Sequence, residues 1–130
     1  MARLQDIVFD CRHAASLARF WAEVLEGYAV APYDDAEIER LRSLGIDDVE
    51  DDPTVLVDGP VGAPRYWFQR VPEAKVVKNR VHVDLTADDV DAEVARLVAL
   101  GATVVVPEGG QDGSIVVLAD PEGNEFCLLR

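Results

Sequence analysis

Sulfur and imidazole are scarce in this chain of 130 residues, which has two cysteines, one methionine and two histidines. Cys11 and Cys127 stand far apart in apolar, strand-like stretches without C-x-x-C spacing. That argues against a redox pair and for buried thiols in a reducing compartment. Basic residues are also few, twelve against twenty-five acids, and the net charge of −13 repels nucleic acid and anionic membrane surfaces. No run approaches the about 18 apolar residues of a membrane span, and the opening Met1-Ala2-Arg3-Leu4-Gln5-Asp6 lacks the apolar core of a secretory signal. The expected location is cytoplasmic. No glycine-rich phosphate loop follows a strand, and neither Ser16 nor Ser114 has a histidine at triad spacing. Nucleotide enzymes and serine hydrolases are therefore poor readings.

The residues that are present are strongly patterned. Over 4–11, Ile7, Phe9 and Cys11 alternate with Asp6, Val8 and Asp10, the period of a half-buried strand. Leu17, Phe20, Trp21, Val24 and Leu25 then recur at helical spacing, which predicts an amphipathic helix with His13 capping its start, Trp21 in the core and Gly27 at its end. Strands are expected over 28–32, 53–58 and 65–71. Between the first two lies an acidic stretch, 33–52, with nine acids against Arg40 and Arg42. It holds a short helix over 35–44, with Ile38, Leu41 and Leu44 on one side and Gly45 after it. A stripe so narrow offsets little of the cost of ordering some twenty residues, so this stretch is expected to be a mobile flap.

The order then starts again. A strand over 79–85 places Val81, Val83 and Leu85 on one face and Arg80, His82 and Asp84 on the other. A helix from Asp88 carries Val90, Val94, Leu97 and Val98 and is capped by Gly101, with Asp88, Asp89, Asp91 and Glu93 near its favourable positive end. Strands follow over 103–106 and 114–119, then the turn Asp120-Pro121-Glu122-Gly123-Asn124 and a last strand to Leu129. Strand, helix and three strands are thus written twice, an internal repeat with its seam at 72–78. The expected architecture is α+β, one domain over 1–130 with repeats at 4–71 and 79–130. The two βαβββ repeats form a curved, mostly antiparallel sheet cup with helices outside and a ligand between them.

Alignment of the copies sets Asp6 against His82 and Gln69 against Cys127, and the first copy is longer by eighteen residues between those positions. His82 is the first candidate for acid/base work, whether or not Asp84 or Asp6 holds its ring. Val8, Asp10, Trp67, Arg80 and Asp84 fall on the same strand faces and are the candidate ligand walls. Trp67 among them can stack on a planar or cationic group.

Four stretches carry a family resemblance: Leu17-Ala18-Arg19-Phe20-Trp21-Ala22-Glu23-Val24-Leu25, Trp67-Phe68-Gln69-Arg70-Val71-Pro72-Glu73, Lys78-Asn79-Arg80-Val81-His82-Val83-Asp84-Leu85, and Asp120-Pro121-Glu122-Gly123-Asn124-Glu125-Phe126-Cys127-Leu128. In these the chain resembles the vicinal oxygen chelate superfamily of glyoxalases, extradiol dioxygenases and bleomycin-resistance proteins, and within it the small bacterial glyoxalase-like domain proteins. The resemblance implies a small organic ligand, a symmetric homodimer, and one of two activities. One is a metal-dependent lyase, isomerase or dioxygenase; the other is sequestration of a compound without chemistry, as in antibiotic resistance. It also implies metal-ligand positions at Asp6, Gln69, His82 and Cys127. Cys127 stands where a glutamate is common, with Glu125 two residues away, and a thiolate beside histidine and aspartate favours zinc among divalent ions. With this incomplete set, protein purified without added metal is expected to hold less than one ion per chain.

Overall fold

Alternation in β1 (Asp6–Cys11) turns Cys11 inward, and the helix that follows, α1 (Ala14–Val24), packs an apolar stripe on the sheet β1 belongs to. The computed structural model describes residues 1–130, in two units, Met1–Ala74 and Lys75–Arg130. His13 caps α1 as expected, its ring Nδ1 accepting from the Ser16 amide at 3.2 Å. Leu17 and Trp21 are fully buried, and Trp21 meets Phe9 at 5.0 Å between ring centroids. Phe9 in turn stacks on Phe68 at 5.3 Å. Ring pairs at such separations contribute beyond the area they bury.

The first unit continues with β2 (Ala29–Val30), α2 (Asp35–Ser43), a 3-10 turn at Val49–Asp51, β3 (Thr54–Asp58) and β4 (Arg65–Arg70). Its open sheet runs β1-β4-β3-β2, with β1 and β4 parallel and the other pairs antiparallel. Val55, Val57, Tyr66 and Phe68 are buried on the α1 side. By the two-residue period, Thr54, Leu56 and Trp67 therefore face the opposite side.

The second unit repeats the plan with β5 (Asp84–Thr86), α3 (Val90–Leu100), β6 (Thr103–Gly109), β7 (Ile115–Ala119) and β8 (Glu125–Leu129). Its sheet runs β5-β8-β7-β6, again with one parallel pair, β5 with β8. Leu97, Val116, Leu118, Phe126 and Leu128 form its core. Gly101 ends α3 at φ +118°, a left-handed position that suits a residue without a Cβ. In the turn before β8, the Asp120 carboxylate accepts from the amides of Glu122 and Asn124 and from the Asn124 side chain, so its burial is fully compensated.

One strand is shorter than its pattern. The alternation over 79–85 predicts seven residues, but only Asp84–Thr86 pair with β8 as a strand, preceded by a single bond from the Cys127 amide to the Val83 carbonyl at 3.0 Å. The Asn79 amide is instead held by the Glu125 carboxylate at 3.1 Å, and Val81 is 79% exposed. Without an apolar surface to take Val81, alternation alone cannot draw the chain into the ladder.

Candidate functional site

The first unit contains a cavity of about 450 Å³ on the sheet face opposite α1, lined by Ala31, Pro32, Tyr33, Glu37, Arg40, Asp52, Thr54, Leu56 and Trp67. Three local structures build it. Register sets Leu56 opposite Trp67, so these side chains form one wall. Asp34 caps α2 by accepting from the Glu37 amide at 2.8 Å, and the helix thereby presents Glu37 and Arg40 to the opening. Asp52, 4% exposed, is the buried acid of the lining: one carboxylate oxygen accepts from the Thr54 amide at 2.9 Å and the other from the Tyr33 hydroxyl at 2.8 Å. Burial, reinforced by that bond and by the charge of Asp52, pushes the Tyr33 phenol well above its ordinary range, so it stays a donor. Arg40 is held by Glu37, its Nε and Nη2 donating to one oxygen at 3.1 and 3.0 Å.

Trp67 is fixed from its own strand. The Arg65 guanidinium lies 6.0 Å from the centre of its ring and donates to both oxygens of Asp6 at 2.9 and 3.0 Å. Arg65 holds the Asp6 carboxyl below its usual range; burial opposes the shift, and side-chain hydrogen bonds from Gln5 and Trp67 add to it. Asp6 is thus engaged by Arg65. Gln69, exposed at the far end of β4, stands opposite Asp10, four rungs along the ladder from Asp6. At about 3.3 Å per residue the two are roughly 13 Å apart and form no joint ligand pair. Val8 is Trp67's partner across the β1–β4 pair and is 54% exposed.

In the second unit the structure gathers His82, Asp84 and Cys127, whose ligating atoms all lie within 4.8 Å of one another. His82 Nε2 is 3.3 Å from Asp84 Oδ1. Asp84 and Cys127 are direct partners in the β5–β8 register. With Asp6 matched to His82, the residue matched to Cys127 is Trp67, because Val8 faces Trp67 as Asp84 faces Cys127. Sequence matching had set Gln69 there, two positions away. Burial pushes the Cys127 thiol up, and the charge and hydrogen bond of Asp84 push the same way. An imidazole, a carboxylate and a thiol suit a thiophilic divalent ion by donor type, with room for a further ligand. Glu125 is committed elsewhere, to Lys75 at 3.1 Å and to the Asn79 amide. Its burial favours the neutral acid, but the Asn79 and own-backbone amides and Lys75 outweigh that and bring its pKa down to about 2. Arg80 is exposed in the irregular segment before β5.

Tyr33, Asp52, Glu37 and Arg40 were not among the residues singled out by sequence, since the acidic stretch hides one buried acid among eight others. Leu56 and Thr54 were accessible through the same alternation that marks Trp67.

A family profile described as "Glyoxalase-like domain" matches residues 6–129. The chain belongs to this glyoxalase-like family. No curated protein matches it in sequence. Solved structures share the fold of this glyoxalase-like chain. One is a glyoxalase/bleomycin resistance protein/dioxygenase family enzyme from Burkholderia phytofirmans PsJN, 18% identical with a TM-score of 0.66, the match covering 98% of this chain and 97% of that one. A second is the fosfomycin resistance protein FosX from Mesorhizobium loti, with 15% identity, a TM-score of 0.63 and coverage of 99% and 91%. A third is a bleomycin-binding protein complexed with bleomycin, with 15% identity, a TM-score of 0.58 and coverage of 99% and 98%. At these identities the likeness is one of fold alone; it is the family match over residues 6–129 that carries the assignment to the vicinal oxygen chelate superfamily.

Proposed function

We propose that this glyoxalase-like chain binds a small organic molecule in the cavity of its first unit and sequesters it without chemistry. The observation that carries the reading is the cavity itself: about 450 Å³, walled by a tryptophan whose ring is held by Arg65 and Asp6. That volume lies in the range of ligand pockets, and a fixed aromatic wall contributes affinity because little order remains to be imposed on binding. The fold of the bleomycin-binding protein is in keeping with sequestration. The neutral dye N-phenyl-1-naphthylamine tests it: saturable brightening in the native chain, weakened about tenfold in Trp67→Ala and largely retained in Trp67→Phe, is expected. Absence of saturable brightening overturns it.

A second reading, a metal-dependent lyase, isomerase or dioxygenase, is favoured by the His82, Asp84 and Cys127 group. Those three residues would hold a divalent ion, which when bound would polarise an oxygen of the substrate. Where no ion is bound, this second reading would have His82 move the proton, with Asp84, 3.3 Å away, orienting its ring. The proposal extends to a homodimer in the cytoplasm. Cys11 and Cys127 form no disulfide, and no helix is long and apolar enough to cross a membrane.

A further inference from the structure

We infer that the cavity of the first unit selects flat molecules carrying a protonated amine, with the ring against Trp67 and the ammonium at Asp52. The inference rests on the binding reading above and adds the charge class of its ligand.

Asp52 is buried, yet both of its hydrogen-bond partners, the Thr54 amide and the Tyr33 hydroxyl, are neutral donors. Each oxygen keeps a further lone pair for a donor arriving from the cavity. Asp52 feels the charge of Arg40 across the lining, but that guanidinium donates to Glu37, so a ligand ammonium would be the first cation bonded directly to this buried carboxylate. The lining holds one other acid, Glu37, and one base, Arg40, and these two are bound to each other. The cavity therefore carries a net charge of one negative unit, and Asp52, 4% exposed, is its buried acid. Around it Trp67, Leu56, Pro32 and Ala31 offer apolar contact. Trp67 already accepts one cation near its ring, that of Arg65, so its electron-rich surface is used in this way within the protein itself. The surrounding stretch from Tyr33 to Asp52, with nine acids and two arginines, concentrates cations near the opening. An anionic ligand would meet the Asp52 carboxylate and find Arg40 already engaged.

Calorimetric titration of the full chain with three probes on one scaffold tests this: 2-naphthylmethylamine, 2-naphthylmethanol and 2-naphthoate. The amine is expected to bind about tenfold more tightly than the alcohol at low salt, and the carboxylate more weakly than either. The amine's advantage should shrink as salt is raised. Asp52→Asn should bring amine and alcohol level. Because Asp52 also anchors Tyr33 and Thr54, that variant is paired with the double substitution Glu37→Gln with Arg40→Gln, which removes the lining's other two charges, leaves Asp52 as its one charge and should keep the amine's advantage. Equal binding of amine and alcohol by the native chain overturns the charge class and leaves the cavity reading standing. A carboxylate that binds best, and is lost in Arg40→Gln, makes this an anion site. Loss of the amine's advantage in the double variant moves the ammonium from Asp52 to Glu37. Failure of all three probes to bind overturns the cavity reading and this inference together.

Discussion

Arg65 has two partners at once, Asp6 through a bidentate pair and Trp67 through its ring, and both stand at the start of the β1–β4 ladder. An exposed ion pair contributes little to stability, but one that also fixes an aromatic wall contributes to binding. Arg65→Met is therefore expected to leave the melting temperature within a few degrees of native while weakening dye binding several-fold. Time-resolved anisotropy of Trp67 should show a faster ring; unchanged anisotropy and affinity would make the pair purely structural. Glu125 behaves differently. Its folded pKa, about 2, lies below its ordinary value of 4.5, so it contributes stability above pH 4.5 and loses it as pH falls toward 2. Glu125→Gln should cost about 1–2 kcal/mol at neutral pH, discounted for solvent around its partner Lys75. The difference in melting temperature should narrow through that acid window; a constant difference would mean the carboxylate's charge is irrelevant. Trp67 was legible in the sequence because alternation marks the face of a strand, and β4 forms as its pattern predicts. Asp52 was not, because burial of a single acid in an acidic run depends on which neighbours fold over it.

At the scale of elements, periodicity carried α1 well: Leu17, Phe20, Trp21 and Val24 are all buried. The second helix of the first unit is a weaker case. Of Ile38, Leu41 and Leu44, only Leu41 is buried, and Leu44 is 60% exposed. Apart from Leu41, what holds the segment is polar, namely Tyr33 to Asp52 and the Arg19–Glu50 pair at 2.5 Å. Segments held by few apolar contacts open at low free-energy cost. Hydrogen exchange over Asp35–Ser43 should accordingly be faster than over Arg65–Arg70 and should slow when a ligand fills the cavity. Tyr33→Phe leaves Asp52 with one donor fewer and should speed that exchange further. Protection of the helix equal to that of β4 in the free chain would make it an integral part of the fold. The strand over 79–85 misled for the converse reason. Its alternation is regular, but a ladder needs a partner for each amide, and Glu125 competes for that of Asn79.

For the whole molecule, the doubled βαβββ order was readable because each copy carries its own helix period and turn residues. The register was not, since a shift of two rungs leaves every side chain on the same face, which is how Gln69 came to be matched with Cys127 in place of Trp67. In the second unit only Leu97 of α3 is fully buried; Val98 and Leu100 stay 46% and 38% exposed, and Val105 and Val106 of β6 51% and 39%. The strand β6 is the outer member of its sheet, with one side of its backbone unpaired. An apolar edge of this kind is an aggregation hazard unless a second copy covers it. Opposing this, each chain brings a charge of −13, and two copies repel. Salt screens the repulsion and leaves apolar burial intact, so the homodimer is expected to tighten as salt rises, the reverse of an ion-paired interface. Light scattering at micromolar concentration should give twice 14.2 kDa at physiological salt, with more monomer at low salt. Val105→Glu should shift the chain to monomer without lowering its melting temperature appreciably, because that side chain is half in water. A monomer at every salt concentration, or a dimer indifferent to Val105→Glu, would show that this face is not where two copies meet.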